Sequence, residues 1–209
     1  MGKRVTSRNY IFLLILLVLF TCLYGSPANT SSTLSISSTN HISVTYRSQE
    51  TQYYCGSAVV QMALTYLDTA VAHQDQLAGE MQTDPEEGVT YTDMMSKPFH
   101  DRGFLDVRED TLELDDLKVN AENGHLTIVL IHFSTAHLYQ HYVLVVGYNA
   151  SGIFVHDPWL VTWDQPSGRK TGADAFISTE LLADLWDCDP SHWALVIPYI
   201  QGSGASSAW

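Results

Sequence analysis

Between Ser57 and Leu67 the apolar residues Ala58, Val59, Met62, Ala63, Tyr66 and Leu67 recur every three to four positions, the spacing that lines one face of an α-helix. This predicts a helix beginning at about Cys55. The same reading places helices over Gln74–Met81 and Tyr91–Arg102, the latter ended by Gly103, and a short amphipathic one over Leu112–Glu122 before Asn123-Gly124. From Leu126 the pattern changes to β-rich runs separated by turn residues: Leu126–Phe133, His141–Tyr148, Ile153–His156 and Trp193–Pro198. Between the last two, STELLADLW (Ser178–Trp186) opens like a helix, with Ser178 or Thr179 at the cap and Glu180 in the first turn. Helices first and antiparallel strands afterwards is an α+β order. The chain contains no internal repeat, and neither GSGAS nor GRKTG has the spacing of a phosphate loop.

The amino terminus follows a different logic. Lys3, Arg4 and Arg8 precede an apolar run from Ile11 to Tyr24, the charged and hydrophobic regions of a targeting segment. At about 1.5 Å per residue that run reaches ~21 Å, short of a hydrocarbon core of roughly 30 Å. A signal peptide over residues 1–28 is therefore expected, with membrane anchoring through residues 11–24 as the alternative. Residues 29–40, NTSSTLSISSTN, read as a solvated Ser/Thr-rich linker, 41–201 as the folded domain and 202–209 as a flexible tail. Export places the domain outside the cytoplasm, secreted or held at the outer face of the membrane. Asn29-Thr30-Ser31 and Asn149-Ala150-Ser151 match the N-glycosylation pattern.

Composition narrows the partners. The 209 residues include 23 Asp+Glu against 10 Lys+Arg, a formal net charge of -13. Removing residues 1–28 removes three bases and no acid, so the rest is more acidic still. Such a surface repels phosphate backbones, which excludes a nucleic-acid groove. At 45% hydrophobic residues the chain has ample material for a core. Peptide or protein substrates are the expected partners.

Chemistry gathers at three positions. Cys55 opens the first predicted helix, where unpaired amides and the helix dipole favour a thiolate. A nucleophilic thiol needs a base, and the base needs an orienting partner. The runs HYVLVVGY and IFVHDP form a hairpin; a register centred on Asn149 sets Val145 opposite Ile153, Val143 opposite Val155, and His141 opposite Asp157 on one face. Taken singly, His141 as a strand-start cap and Asp157-Pro158 as a turn are the plainer readings. The remaining cysteines, Cys22 in the apolar run and Cys188, leave a Cys55–Cys188 disulfide open as an alternative. His137 and His141 have the spacing of a helical zinc pair but lack the accompanying glutamate, and His141 enters a strand.

The stretch YRSQETQYYCGSAVVQMALTYL, followed by HYVLVVGYNASGIFVHDPW, resembles the papain-like cysteine peptidases of the bacteriocin-leader-processing (double-glycine) type and their free-standing relatives. The resemblance implies a papain-like fold with a helical lobe carrying the cysteine and an antiparallel β lobe carrying the histidine and acid. It makes Cys55 the nucleophile, His141 the base and then the acid, Asp157 its orienting residue, and Gln49 the side-chain donor of the oxyanion hole, with Gln52 as competitor. It needs no cofactor. An enzyme acting without an attached transporter is expected, cleaving peptide bonds through a thioester. The same triad serves acyl transfer equally well, and a non-catalytic module binding peptide or glycan through Trp159, Trp163, Trp186 and Trp193 is the alternative from another class. The Trp159–Asp174 loop is expected to wall the cleft.

Overall fold

The computed structural model of the chain describes residues 40–70, 72–159 and 172–199. The expected targeting segment 1–28, the linker except Asn40, the tail 202–209, Trp163 and most of the Trp159–Asp174 loop lie outside them. In chain order the elements are β1 (Asn40–His41), α1 (Cys55–Tyr66), α2 (Gln74–Glu80), a 3-10 turn (Thr92–Met94), α3 (Lys97–His100), β2 (Arg108–Thr111) and α4 (Leu114–Glu122). There follow β3 (Leu126–His132), β4 (Gln140–Asn149), β5 (Gly152–Asp157), β6 (Gly172–Ser178), α5 (Thr179–Trp186) and β7 (Trp193–Ile197).

The strands form one antiparallel sheet in the order β2-β7-β3-β4-β5-β6, with β1 also paired to β4. α1 packs against β4. Every residue of α1 from Gly56 to Leu64 is buried, so the helix is enclosed on all sides rather than amphipathic at a surface. Gly56 packs closely at this depth: a Cβ there would lie 3.2 Å from both Met95 Sδ and Thr90 Oγ1, so those side chains would have to shift to admit one.

Two sequence expectations are corrected, and strands appear where none was expected. The helix expected over Tyr91–Arg102 is broken into the 3-10 turn and α3, because Pro98 lacks an N–H and its ring would meet the carbonyl one turn back. β2 (REDT) is fully exposed and pairs with β7; its charges suit a sheet edge and give no hydrophobic signal. β6 (GADAFIS) also escapes the pattern, although it pairs with β5 from Ala175 to Ser178 and again at Gly172, across a register shift.

The second correction concerns the hairpin that carries His141 and Asp157. Its turn is Ala150-Ser151, closed by the pair Asn149↔Gly152, and Asn149 Oδ1 accepts the Ser151 N–H at 2.7 Å. Pairing continues to Gly147↔Phe154, then a bulge at Val146 precedes Val145↔Val155 and Leu144↔His156. Residue His141 therefore does not lie directly opposite Asp157, contrary to the register centred on Asn149. With the two-residue turn alone, odd residues of β4 would face even residues of β5, and the two side chains would point to opposite faces. The extra residue restores the parity. Extending the register sets Val143 opposite Asp157 and His141 at the diagonal position on the same face, a spacing of about 7–8 Å that an imidazole bridges.

Candidate active site

His141 pairs with Ile131 of β3 and is 3% exposed; Asp157 ends β5 and is 1% exposed. His141 Nε2 lies 2.8 Å from Asp157 Oδ1. A carboxylate can only accept, so Nε2 carries the proton, leaving Nδ1 for the thiol of Cys55, to which the ring is hydrogen-bonded. Asp157 is held in turn: its Oδ1 accepts the Trp159 N–H at 3.0 Å and its main-chain carbonyl accepts the Tyr46 hydroxyl at 3.1 Å. The Phe133 ring meets His141 edge-on at 5.1 Å between centroids, and Trp159 does so at 6.4 Å. These rings shield the histidine–carboxylate bond from water, which strengthens it.

The electrostatics favour an ion pair. Burial opposes ionisation of Cys55, but the hydrogen bond and positive charge of His141, with main-chain groups of Tyr142 and Gly56, outweigh it and hold the thiol below its usual range. Burial likewise opposes the charge on His141; Asp157 and Cys55 overcome it and raise the imidazole to about 9. A thiolate beside an imidazolium is the arrangement that attacks a carbonyl and then protonates a leaving amine.

Gln49 is 1% exposed, whereas Gln52 is exposed. Gln49 Nε2 donates one hydrogen to Thr51 O at 2.7 Å and keeps a second. Its main-chain N–H donates to Pro158 O at 2.8 Å, tying the loop before the cysteine to the residue after Asp157. Tyr46 and Phe133 escaped the sequence reading as site residues; nothing in their spacing marks them, since Tyr46 lies 111 positions from Asp157 and Phe133 lies just past the end of the neighbouring strand.

Cys55 and Cys188 are free thiols, so the disulfide is not formed. Cys188 is 3% exposed, its Sγ donates to Leu130 O at 3.1 Å, and burial pushes it up to about 11. Iodoacetamide at neutral pH is accordingly expected to label Cys55 in the folded protein and leave Cys188 unmodified, as read by peptide mass spectrometry; equal labelling would contradict these environments. Trp186 and Trp193 are 2% and 5% exposed, and their Nε1 groups donate to Trp193 O and Glu109 Oε2, which makes them structural rather than ligand platforms. Among the described residues no group of three or more His, Cys, Asp or Glu is placed to hold a metal ion.

Residues 41–178 match the model of the Peptidase_C39 like family, and the chain belongs to that family. Two solved structures share its papain-like α+β fold. One is a double glycine motif protease from an AMS/PCAT transporter in complex with the leader peptide: 18% identity, 77% of this chain and 95% of that one covered, TM-score 0.57. The other is the peptidase domain of Streptococcus ComA, a bi-functional ABC transporter involved in a quorum sensing pathway: 18% identity, 74% and 98% covered, TM-score 0.55. No curated protein matches the chain.

Proposed function

We propose that this chain is a thiol peptidase that hydrolyses peptide bonds with Cys55 as nucleophile, His141 as acid and base, and Asp157 as the residue that orients His141. The observation that carries the reading is the buried imidazole of His141, 2.8 Å from Asp157 Oδ1, whose hydrogen bonding and charge hold the Cys55 thiol below its usual range. Sulfur attacks the scissile carbonyl, His141 gives its proton to the departing amine, and water assisted by the neutral imidazole releases the acid from the thioester. Gln49 supplies a side-chain N–H to the oxyanion, and the main-chain N–H of Cys55, the first residue of α1, supplies a second. Membership of a peptidase family and the leader peptide held by the similar double glycine protease support a peptide substrate.

The test is incubation of the full chain with a proteome-derived peptide mixture, read as new termini by mass spectrometry. New termini are expected with the wild type and none above background with Cys55→Ala. A wild type that generates no new termini while Cys55 alkylates rapidly would move the reading from hydrolysis to acyl transfer.

A further inference from the structure

The segment that carries Gln49 lies outside any helix or strand, yet both peptide groups flanking its Cα are tied. The Ser48 carbonyl accepts from Gln74 Nε2 at 2.9 Å, and the Glu50 N–H donates to Gln74 Oε1 at 3.0 Å. One side-chain amide thus spans the residue before and the residue after Gln49. The Gln49 N–H is held from the other side by Pro158 O at 2.8 Å. With the peptide planes on both sides of its Cα fixed, the backbone of Gln49 and the direction of its Cα–Cβ bond are fixed too.

Gln74 is itself anchored. It is 1% exposed, and Nε2 spends its second hydrogen on Gln61 Oε1 at 3.2 Å. Gln61, 5% exposed on α1, donates from its own Nε2 to Ala72 O at 2.7 Å. These contacts determine which way each amide faces: nitrogen toward Ser48 and Gln61 for Gln74, nitrogen toward Ala72 for Gln61. Two buried glutamine amides in succession are unfavourable unless every contact is made. Here the chain of contacts ends on α1, the helix that begins with Cys55.

The side chain of Gln49 lacks comparable support of its own. Nε2 bonds to Thr51 O, but Oε1 is buried without a partner among the described residues, a desolvation penalty that its one hydrogen bond does not remove. The orientation is imposed from the main chain.

We propose that Gln74 is a positioning residue that acts through Gln49: by holding Ser48 and Glu50 to α1, it keeps the oxyanion donor in register with the nucleophile. This rests on the reading of Gln49 as that donor. Gln74 touches neither thiol nor substrate, so it leaves the nucleophilicity of Cys55 alone and alters only steps in which negative charge develops on a carbonyl oxygen.

Two probes of the full chain separate those effects. Iodoacetamide is displaced at a saturated carbon by the Cys55 thiolate, releasing iodide, and forms no carbonyl oxyanion. 4-Nitrophenyl acetate is attacked at its carbonyl; the tetrahedral oxyanion collapses to the acetyl thioester and expels 4-nitrophenolate. Gln49→Ala is expected to slow acylation about 100-fold and Gln74→Met about 10-fold, with alkylation rates and their pH profile unchanged in both. In the double variant the loss equals that of Gln49→Ala alone, because a residue acting through another has nothing left to act on. Gln74→Glu, which retains the side-chain length and the acceptor for Glu50 but loses both donors, is expected to fall like Gln74→Met and serves where the methionine disturbs folding. Losses that multiply in the double variant, or full-rate acylation by Gln74→Met, overturn the role of Gln74 while leaving Gln49 in place. Full-rate acylation by Gln49→Ala removes the oxyanion reading, and the role of Gln74 with it.

Discussion

His141→Ala is expected to lower peptide cleavage by about 10⁴-fold or more and to move the alkylation profile of Cys55 to higher pH. The sign follows from the two titrations. In the wild type Cys55 is held below its usual range and His141 stays protonated up to about 9, so an ion pair exists between the two. Alkylation should reach its plateau below the ordinary thiol range, and cleavage, which also needs the imidazolium proton, should decline as the pH rises through about 9. Removing the imidazole removes the hydrogen bond and the charge that lower the thiol and leaves the burial that raises it. The midpoint then moves up, because only the main-chain groups of Tyr142 and Gly56 still oppose the effect of burial. Rate constants with iodoacetamide from pH 5 to 10 measure this. A midpoint unchanged by His141→Ala would mean that the helix terminus alone activates the thiol, and His141 would lose its role in forming the nucleophile.

The parts of the fold visible in the sequence are those where burial and periodicity coincide. α1 begins at Cys55 as its apolar spacing requires, and β3, β4, β5 and β7 occupy the β-rich runs to within a residue or two. β2 and β6 escaped because an edge strand of Arg, Glu, Asp and Thr and a strand containing Gly and Asp lack the alternation that reveals a buried face. The hairpin register shows a different limit. A centred turn and a two-residue turn with a bulge both set His141 and Asp157 on one face, so residue identity fixed the parity of the pairing but not its geometry. The bulge at Val146 leaves no compositional trace. Cys55, His141 and Asp157 could be singled out as candidates only together, because His141 and Asp157 taken singly have plainer structural readings. Gln74 could not be, since its partners Ser48 and Glu50 lie 26 and 24 positions away and a glutamine at a helix start has no pattern of its own.

Stability should depend most sharply on the glycine at which this hairpin meets β6. Gly152 pairs with Asn149 on one side and with Ser178 on the other. A Cβ added there would lie 2.8 Å from Ser178 Cα and 3.0 Å from the Ile177 carbonyl carbon, and these are main-chain atoms that cannot swing aside. Gly152→Ala must therefore part β5 from β6 or displace the turn, and is expected to destabilise the protein by roughly 3 kcal/mol or more. That corresponds to a fall in Tm of about 6–12 °C for a chain of this size, measurable by circular dichroism. Gly79→Ala provides the opposite sign: Gly79 is exposed on α2 with nothing within 4 Å of an added Cβ, so the higher helix propensity of alanine should stabilise by about 0.5–1 kcal/mol. A Gly152→Ala protein with unaltered Tm would show that the β5–β6 pairing can slide. Because Asp157 ends the same strand and pairs with Gly172 of β6, a sliding β5 would also displace the carboxylate from His141. Unaltered stability with a shifted alkylation profile would then trace the thiol's activation to the register of β5, set at a glycine five residues from Asp157.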